Sequence, residues 1–412
     1  MERQERSSDS SMDELAALVE TAGGEVVATL IQNRPAPDPR SFIGDGKVAE
    51  LKNLITLNNC DLAVFDNELS PSQMRVLTED LGVKVLDRSG LILDIFAQRA
   101  RTREGKLQVE LAQYKYLLPR LTGMWTHLVR QTASGGSSPI GTRGPGETQL
   151  ETDRRHIRRK MQALEEELSN VRRVRDTQRR LRDKREVWGV AMIGYTNAGK
   201  STLLNMLSHS DIPANDRLFD TLDPTTRRIT VSPHQELLLS DTVGFIRKLP
   251  THLIEAFKAT LEELRYADLL LHVIDISNPE WELQAEIVED LVRSLGAEGT
   301  PCLRVFNKCD RYLGILPHGD DVVCVSAKTG EGTDALLSKI SDLLTGRVTE
   351  YELLIPYGDA AVLDPLRHEA EMLSLEYRED GIYVRAVLDE RMLGRMKQYI
   401  PGYVEPLEEW ER

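Results

Sequence analysis

Cysteine is scarce in this chain: Cys60, Cys302, Cys309 and Cys324 are the four thiols among 412 residues, and no two form a CxxC pair. That scarcity argues against a structural zinc centre and for a reducing compartment in which the thiols are simply buried. Long apolar runs are missing too. None approaches the roughly 18 residues that would suggest a membrane span, and the charged N-terminus lacks the apolar centre of a signal peptide. A cytoplasmic protein is expected, with peripheral contact to a membrane surface left open. An excess of positive charge is also absent: 52 Lys and Arg against 66 Asp and Glu give a net charge of -14. Any contact with a nucleic acid must therefore come from a local basic surface and not from global attraction.

What is present begins with enough hydrophobic residues, 41%, for real cores, and a length that suggests about two to four domains. Residues 1–10 are polar and read as a tail without structure; Ser11 and Glu14 then resemble a capping box opening a short helix, Met12 to Thr21, closed by Gly23 and Gly24. Strand-like and helix-like stretches alternate after that: Glu25 to Ile31, Lys47 to Leu57, Asp61 to Asp66, Ser70 to Leu81 and Val83 to Asp87. Such alternation predicts a small parallel sheet. Leu91 to Leu121 is mostly helical, with a break near Gly105 and Pro119.

Ala133 to Gly146 reads ASGGSSPIGTRGPG, a linker or a functional loop. Beyond it, Ile157, Met161, Leu164, Leu168, Val171 and Val174 recur in steps of three and four, which predicts a long helix, or a helical hairpin turning near Asn170. Thirteen lysines and arginines between Arg154 and Arg185 outnumber its acids. Charge alone leaves two readings, a solvated coiled-coil face and a phosphate-contacting arm.

The stretch with the sharpest chemistry is Gly194-Tyr195-Thr196-Asn197-Ala198-Gly199-Lys200-Ser201. An apolar run, Trp188 to Ile193, enters it and Thr202 to Leu207 leaves it in helical spacing, the strand-loop-helix context that a P-loop requires. Its glycines let backbone N–H groups wrap phosphates, Lys200 reaches the terminal phosphates, and Ser201 offers a hydroxyl to Mg²⁺. Asp241-Thr242-Val243-Gly244 ends a strand 41 residues after Lys200; its carboxylate suits a hydrated Mg²⁺ and Gly244 frees an N–H for the γ-phosphate. Asn307-Lys308-Cys309-Asp310 ends another strand. Asp310 can accept from the N1–H and 2-amino groups of guanine, where adenine has no such pair. Ser326-Ala327-Lys328 follows, placed for a backbone N–H to meet the guanine oxygen. The first switch must lie in Phe219-Asp220-Thr221-Leu222-Asp223-Pro224-Thr225-Thr226, and chemistry alone leaves Thr221, Thr225 and Thr226 open as its Mg²⁺-binding hydroxyl. Phe245, directly after Gly244, lacks the side-chain amide that could orient an attacking water, so slow intrinsic hydrolysis is expected.

Apolar runs at 188–193, 236–240, 269–274, 301–306 and 322–325 read as strands buried on both faces, and 200–208, 251–265, 281–295 and 333–344 as helices between them. The fold class expected is α/β. A P-loop domain with a doubly wound, mainly parallel sheet (187–346) follows an N-terminal tail and short helix (1–24), a small α/β domain (25–132), and a Gly-rich loop with a basic helical arm (133–186). A small α+β domain (347–412) ends the chain: a strand from Glu352 to Tyr357, a helix from Ala360 to Leu373, a hairpin around Glu379-Asp380-Gly381 and a helix from Glu390 to Tyr399.

With these motifs in place the chain resembles the HflX family of bacterial translational GTPases. The resemblance rests on GYTNAGKST at 194–202, FDTLDPTTR at 219–227, DTVGF at 241–245, NKCD at 307–310 and SAK at 326–328, and on FIGDGKVAEL at 42–51 and GTRGPGETQLE at 141–151, which generic GTPases lack. It implies GTP as substrate, with Thr221 as the switch threonine and Ser201 and Thr221 as Mg²⁺ ligands. Lys200, Thr221 and Gly244 are implied at the reacting phosphate. Nucleotide contacts fall on Gly194, Tyr195, Thr196, Asn197, Ala198, Gly199, Lys200, Ser201 and Thr202, on Phe219 to Asp223, on Asp241, Thr242, Val243 and Gly244, on Asn307, Lys308, Cys309 and Asp310, and on Ser326, Ala327 and Lys328. It further implies a monomer that binds the large ribosomal subunit, with Ser134 to Gly146 and Arg154 to Arg185 as rRNA contacts, and that separates stalled or stressed ribosomes. A ribosome-assembly GTPase, and an RNA-remodelling or nucleotide-switch protein with little catalysis, are the rival expectations. Some relatives use ATP through the N-terminal domain; here only Gly44-Asp45-Gly46-Lys47 offers a weak phosphate cradle, more often the turn that begins a helix.

Overall fold

The structure, a computed structural model, describes residues 2–121, 145–183, 188–208, 218–219, 225–232, 235–250, 253, 262–345, 349–388 and 390–402. Elements are numbered in chain order among these.

The N-terminal unit begins with α1 (Glu2–Thr21). The expected tail over 1–10 and the capping box at Ser11 are both corrected: the helix starts at Glu2 and runs through Ser11, whose hydroxyl donates to Asp66 (2.7 Å). No glycine or proline interrupts Glu2 to Thr21, so nothing stops the helix before Gly23 (φ 88°). Next come α2 (Asp45–Asn58), β1 (Leu62–Phe65), α3 (Pro71–Leu81), β2 (Lys84–Asp87), α4 (Arg88–Arg99) and α5 (Arg103–Leu117). Local chemistry sets several of these limits. Ser70 and Gln73 form a reciprocal capping box with Pro71 in the first turn of α3, Gly82 ends that helix at φ 74°, and Thr102 caps α5.

β1 and β2 pair in parallel, as expected, but Glu25 to Ile31 forms no strand, a second correction. A strand exists only by pairing. This segment and the open edge of β1 border the same cavity of 910 Å³ without meeting across it, and Val27 and Ile31 stay exposed. Val48, Ile55, Leu69, Leu77 and Val85 fill the core of this unit.

α6 (Pro145–Asp183) is one helix of 39 residues, about 58 Å long at 1.5 Å per residue. No turn occurs at Asn170, and the helix begins at Pro145 inside the stretch read as loop, because proline is preset for a first turn. The rest of that loop, with Ser134, lies outside the described residues. The partner that α6 packs against is α5: Leu164 and Leu168 close on Leu111, flanked by Leu107, Tyr114 and Met161. Arg103 pairs with Glu167 (2.9 Å) and Lys115 with Glu165 (3.7 Å). The packed stripe leaves Arg155, Arg158, Arg159, Lys160 and Arg173 exposed.

The third unit holds β3 (Trp188–Gly194), α7 (Lys200–Ser208), β4 (Thr225–Ser232), β5 (Gln235–Asp241), β6 (Leu269–Asp275), α8 (Trp281–Ser294), β7 (Cys302–Asn307), β8 (Val322–Cys324) and α9 (Thr333–Thr345). Six strands align in the order β4-β5-β3-β6-β7-β8, parallel throughout except for the β4–β5 pair at one edge. Alternation along the central strands splits the core in two. Val190, Met192, Leu269, Leu271 and Val273 face α7 and α9; Ala191, Ile193 and Leu270 face α8. That second face is continuous with the N-terminal unit through Leu18, Ile92 and Phe96. Of the helix expected over 251–265, the described part at Glu262–Tyr266 is a 3-10 turn.

The last unit is an antiparallel sheet, β10-β11-β9, from β9 (Thr349–Ile355), β10 (Glu371–Arg378) and β11 (Gly381–Leu388), with α10 (Leu363–Glu369) and α11 (Glu390–Met396) against it. The Asp-Gly hairpin is as expected. The helix read over 360–373 is shorter: α10 ends at Glu369 because Met372 and Leu375 are taken into β10 to pack on this core. Among the described residues no helix is long and apolar enough to cross a membrane.

Replacing Leu164 and Leu168 together by alanine should undo the α5–α6 contact, at about 2–5 kcal/mol for each fully felt truncation. Hydrogen exchange should then speed up in Leu107 to Tyr114 and stay unchanged in β3 and β6; unchanged exchange in α5 would show that the helices do not depend on this stripe.

Candidate nucleotide site

The site lies at the C-terminal ends of β3, β5, β6 and β7, where an open parallel sheet leaves its crevice. β3 delivers Gly194 and the first turn of α7 delivers Lys200 and Ser201. A Cβ at Gly194 would lie 2.3 Å from the Val273 carbonyl, and one at Gly199 (φ 93°) 2.3 Å from Asn307 Nδ2. Neither position admits a side chain, so the backbone of the loop stays bare toward the crevice.

Lys200 is buried, and its Nζ donates to the carbonyls of Gly194 (3.1 Å) and Tyr195 (2.9 Å). Burial pushes its ammonium down to about 8, against a smaller opposing pull from Asp241. Ser201 Oγ donates to Asp241 Oδ2 at 2.7 Å. A hydroxyl and a carboxylate so close are the hard oxygen donors that a small divalent cation takes, so the residues present fit Mg²⁺.

The segment after Asp241 is zipped onto the phosphate loop. Thr242 Oγ1 donates to Met192 O (2.6 Å), Phe245 N to Gly194 O (3.1 Å) and Thr196 N to Phe245 O (2.7 Å). A Cβ on Gly244 would come within 3.2 Å of Lys200 Nζ and 2.9 Å of the Thr196 methyl. Val243 is buried and Phe245 sits in the core that also holds Phe219 and Phe96.

The base-recognition segments converge through one amide. Asn307 Nδ2 donates to Ala198 O (2.8 Å), and its Oδ1 accepts from Ala327 N (3.0 Å). Lys308, at φ 64°, donates to Asn197 O (2.9 Å) and pairs with Asp275 (2.7 Å). Ser326 Oγ donates to Asp310 Oδ1 (2.7 Å), Cys309 Sγ to Phe306 O (3.1 Å), and Thr202 and Lys328 are exposed. Phe219 (φ 55°) is buried, edge-on to Phe96 with centroids 4.7 Å apart. Asp220, Thr221, Leu222 and Asp223 lie outside the described residues. Thr225 and Thr226 belong to β4, where Thr225 pairs with Asp241 and Thr226 Oγ1 lies 2.8 Å from Ser240 Oγ.

Sequence reasoning missed a polar network on the other side of the phosphate loop. The phenol of Tyr195 donates to Glu14 of α1 and accepts from Arg247 N (2.8 Å); burial, then Glu14, raises its pKa far above the ordinary tyrosine value. Arg88 pairs with Glu14 and with Asp66 (2.7 Å), and Lys248 with Asp66. Arg247 pairs with Glu280, which also accepts from Ser10. An aromatic inside the loop was the sole local signal; its partner Glu14 is 181 residues away. At Gly44-Asp45-Gly46-Lys47, Gly44 N already donates to Gln32 (3.0 Å) and Lys47 pairs with Glu50 (3.0 Å), the arrangement of a turn that begins a helix.

A phosphate loop, a DTVG turn and a base loop at one end of a doubly wound sheet define a P-loop GTPase. Four family descriptions match in series: the GTP-binding GTPase N-terminal region over 9–97, its middle region over 99–182, the 50S ribosome-binding GTPase over 189–308 and the HflX C-terminal domain over 316–396. The GTPase HflX of Caldanaerobacter subterraneus subsp. tengcongensis is 45% identical over 95% of this chain and 90% of its own, and that of Escherichia coli K12 45% over 95% and 94%. The chain belongs to the HflX family of GTPases and hydrolyses GTP. A GTP-binding protein of Sulfolobus solfataricus solved with GDP is 26% identical over 81% of this chain and 95% of its own, with a TM-score of 0.43, too loose a superposition to carry an argument.

Two outcomes test the site. Asp310→Asn should weaken GTP binding and admit xanthosine triphosphate; retained guanine affinity would remove Asp310 from the base. Lys200 carries its proton below about pH 8 before nucleotide binds, so GTP affinity should fall about twofold from pH 7 to 8 and about fivefold more from pH 8 to 9, where binding must take up a proton. A titration flat to pH 9 would show that the ammonium keeps its charge.

Proposed function

We propose that this GTPase binds the large ribosomal subunit and uses its nucleotide cycle to separate stalled or stressed ribosomes into subunits, with hydrolysis stimulated on the ribosome. The observation that carries the reading is α6: a slender helix braced by α5 that leaves a row of arginines and lysines open to solvent in a chain with a net charge of -14. Such a local basic rod suits an RNA-lined channel, where phosphate neutralisation supplies affinity and shape supplies position. The description matched over 189–308 names a 50S ribosome-binding GTPase, which supports the same partner. Arg154 to Arg185 and the segment Ser134 to Gly146 are the proposed rRNA contacts.

In the nucleotide site, Gly194, Asn197, Gly199 and Lys200 hold the phosphates and Gly244 N–H meets the γ-phosphate. Asn307 ties the loops together, Lys308 lies along the base and Asp310 reads guanine, with Ala327 N–H near the guanine oxygen. Ser201 and Thr221 are the proposed Mg²⁺ ligands, with Asp241 acting through water. Bound there, the ion would neutralise charge building on the phosphates. Phe245 is fixed by its backbone and buried, so the attacking water is oriented by backbone groups or by the partner.

GTP hydrolysis measured with large subunits, small subunits or bare RNA should rise strongly with large subunits alone. Shortening 133–144 should remove that stimulation and leave GTP affinity intact. Equal stimulation by bare RNA, or none by any particle, would overturn the assignment.

A further inference from the structure

Hydrolysis gathers negative charge on the transferring phosphoryl group, and a second cation beside the P-loop lysine can be worth several powers of ten in rate. Lys200 is one such cation, and Phe245, directly after Gly244, has no polar group to assist it.

The switch segment brings a second one near. Phe245 is bonded through both its N–H and its carbonyl to the phosphate loop, and Arg247 N donates to Tyr195 Oη at 2.8 Å. The backbone that carries Arg247 is thus held against the loop that cradles the phosphates. The Arg247 side chain, 9% exposed, borders a cavity of 420 Å³ that Tyr195, Thr196 and Asn197 of that loop and Leu218, the residue before the expected first switch, also line. Two buried polar atoms belonging to the cavity's lining residues, Arg247 Nε and Thr196 Oγ1, have no hydrogen-bond partner among the described residues. An unpaired buried donor is costly to keep in a pocket that serves only stability.

Among the described residues the guanidinium has one ionic partner, Glu280, at the N-terminal boundary of α8. Glu280 also accepts from Ser10 of α1, so the carboxylate that holds the arginine is itself held by the N-terminal unit. We propose that Arg247 is the cation that reaches the transferring phosphoryl group from within the same chain, and that Glu280 keeps it parked until hydrolysis is triggered. Released, it turns within the shared cavity toward the phosphates and offers its N–H donors to the equatorial oxygens. No covalent step is added: water attacks, the bond to the β-phosphate oxygen breaks, and Arg247 keeps its proton throughout.

A structural clamp and a parked catalytic arginine predict different things, because either partner's removal breaks the clamp. Single-turnover GTP hydrolysis by the full chain, without ribosomes, should rise about tenfold in Glu280→Gln and not in Arg247→Ala. Glu280→Gln combined with Arg247→Ala should lose the gain. GDP with aluminium fluoride, which imitates the planar phosphoryl group, should bind to the wild type and to Glu280→Gln and at least tenfold more weakly to Arg247→Ala. GTP affinity within about threefold of wild type for each variant reports an intact site, and Arg247→Gln serves in the same role should Arg247→Ala not fold. Similar changes in hydrolysis for both single variants, or a double variant that keeps the gain, would overturn the proposal. Ribosomes are absent from the assay, so its failure is separate from any failure of the large-subunit reading.

Discussion

A buried ammonium group whose hydrogen bonds, among the described residues, go to two loop carbonyls is the constraint on which the candidate nucleotide site depends. Taking Lys200 out of water disfavours its charge, and two loop carbonyls return only part of the lost hydration. To hold those carbonyls in place the chain must curl tightly after β3, which is why Gly194 and Gly199 have no room for a Cβ. The curl is then pinned from both sides, by Phe245 on the switch segment and by the Asn307 amide on the base loop. The energetic deficit at the lysine is one that a polyanion in the crevice would offset.

How much of this the sequence disclosed follows from how far apart the cooperating residues lie. The phosphate loop, the DTVG turn and the NKCD loop were legible because each is a short run whose chemistry and spacing are local, set at the end of a strand with a clear apolar pattern. The sheet was legible for the same reason, except that β4 is a polar edge strand with weak alternation. The segment Glu25 to Ile31 has the composition of a strand and fails to become one, because pairing is decided by the neighbour and not by the segment. The arm showed its period plainly. Its length did not, since helical spacing cannot distinguish one long rod from two legs until the packing partner is known, and that partner was α5. The network of Glu14, Tyr195, Arg88, Asp66, Arg247 and Glu280 was illegible: charged residues this far apart in sequence carry no shared signal.

That network also bears on how the units relate. The core behind one face of the six-stranded sheet continues without interruption into α1 and α4, and Phe219, in the expected first switch, rests edge-on against Phe96. The two segments expected to respond to the nucleotide therefore touch the N-terminal unit by apolar packing at one point and by ion pairs at another. Apolar packing falls off over a fraction of an ångström, whereas charge interactions reach further and depend on salt. The N-terminal unit is thus held to the switch segments by contacts of two different ranges.

The long helix has a mechanical consequence. Its last described residue, Asp183, stands five positions before Trp188, where the strand that carries the phosphate loop begins. A rod about 58 Å long multiplies rotation: a tilt of about 5° at its base sweeps the far end through about 5 Å, close to the pitch of one helical turn. Read in the opposite direction, the same leverage lets a modest lateral force at the far end exert a large torque on the end of the helix at Asp183.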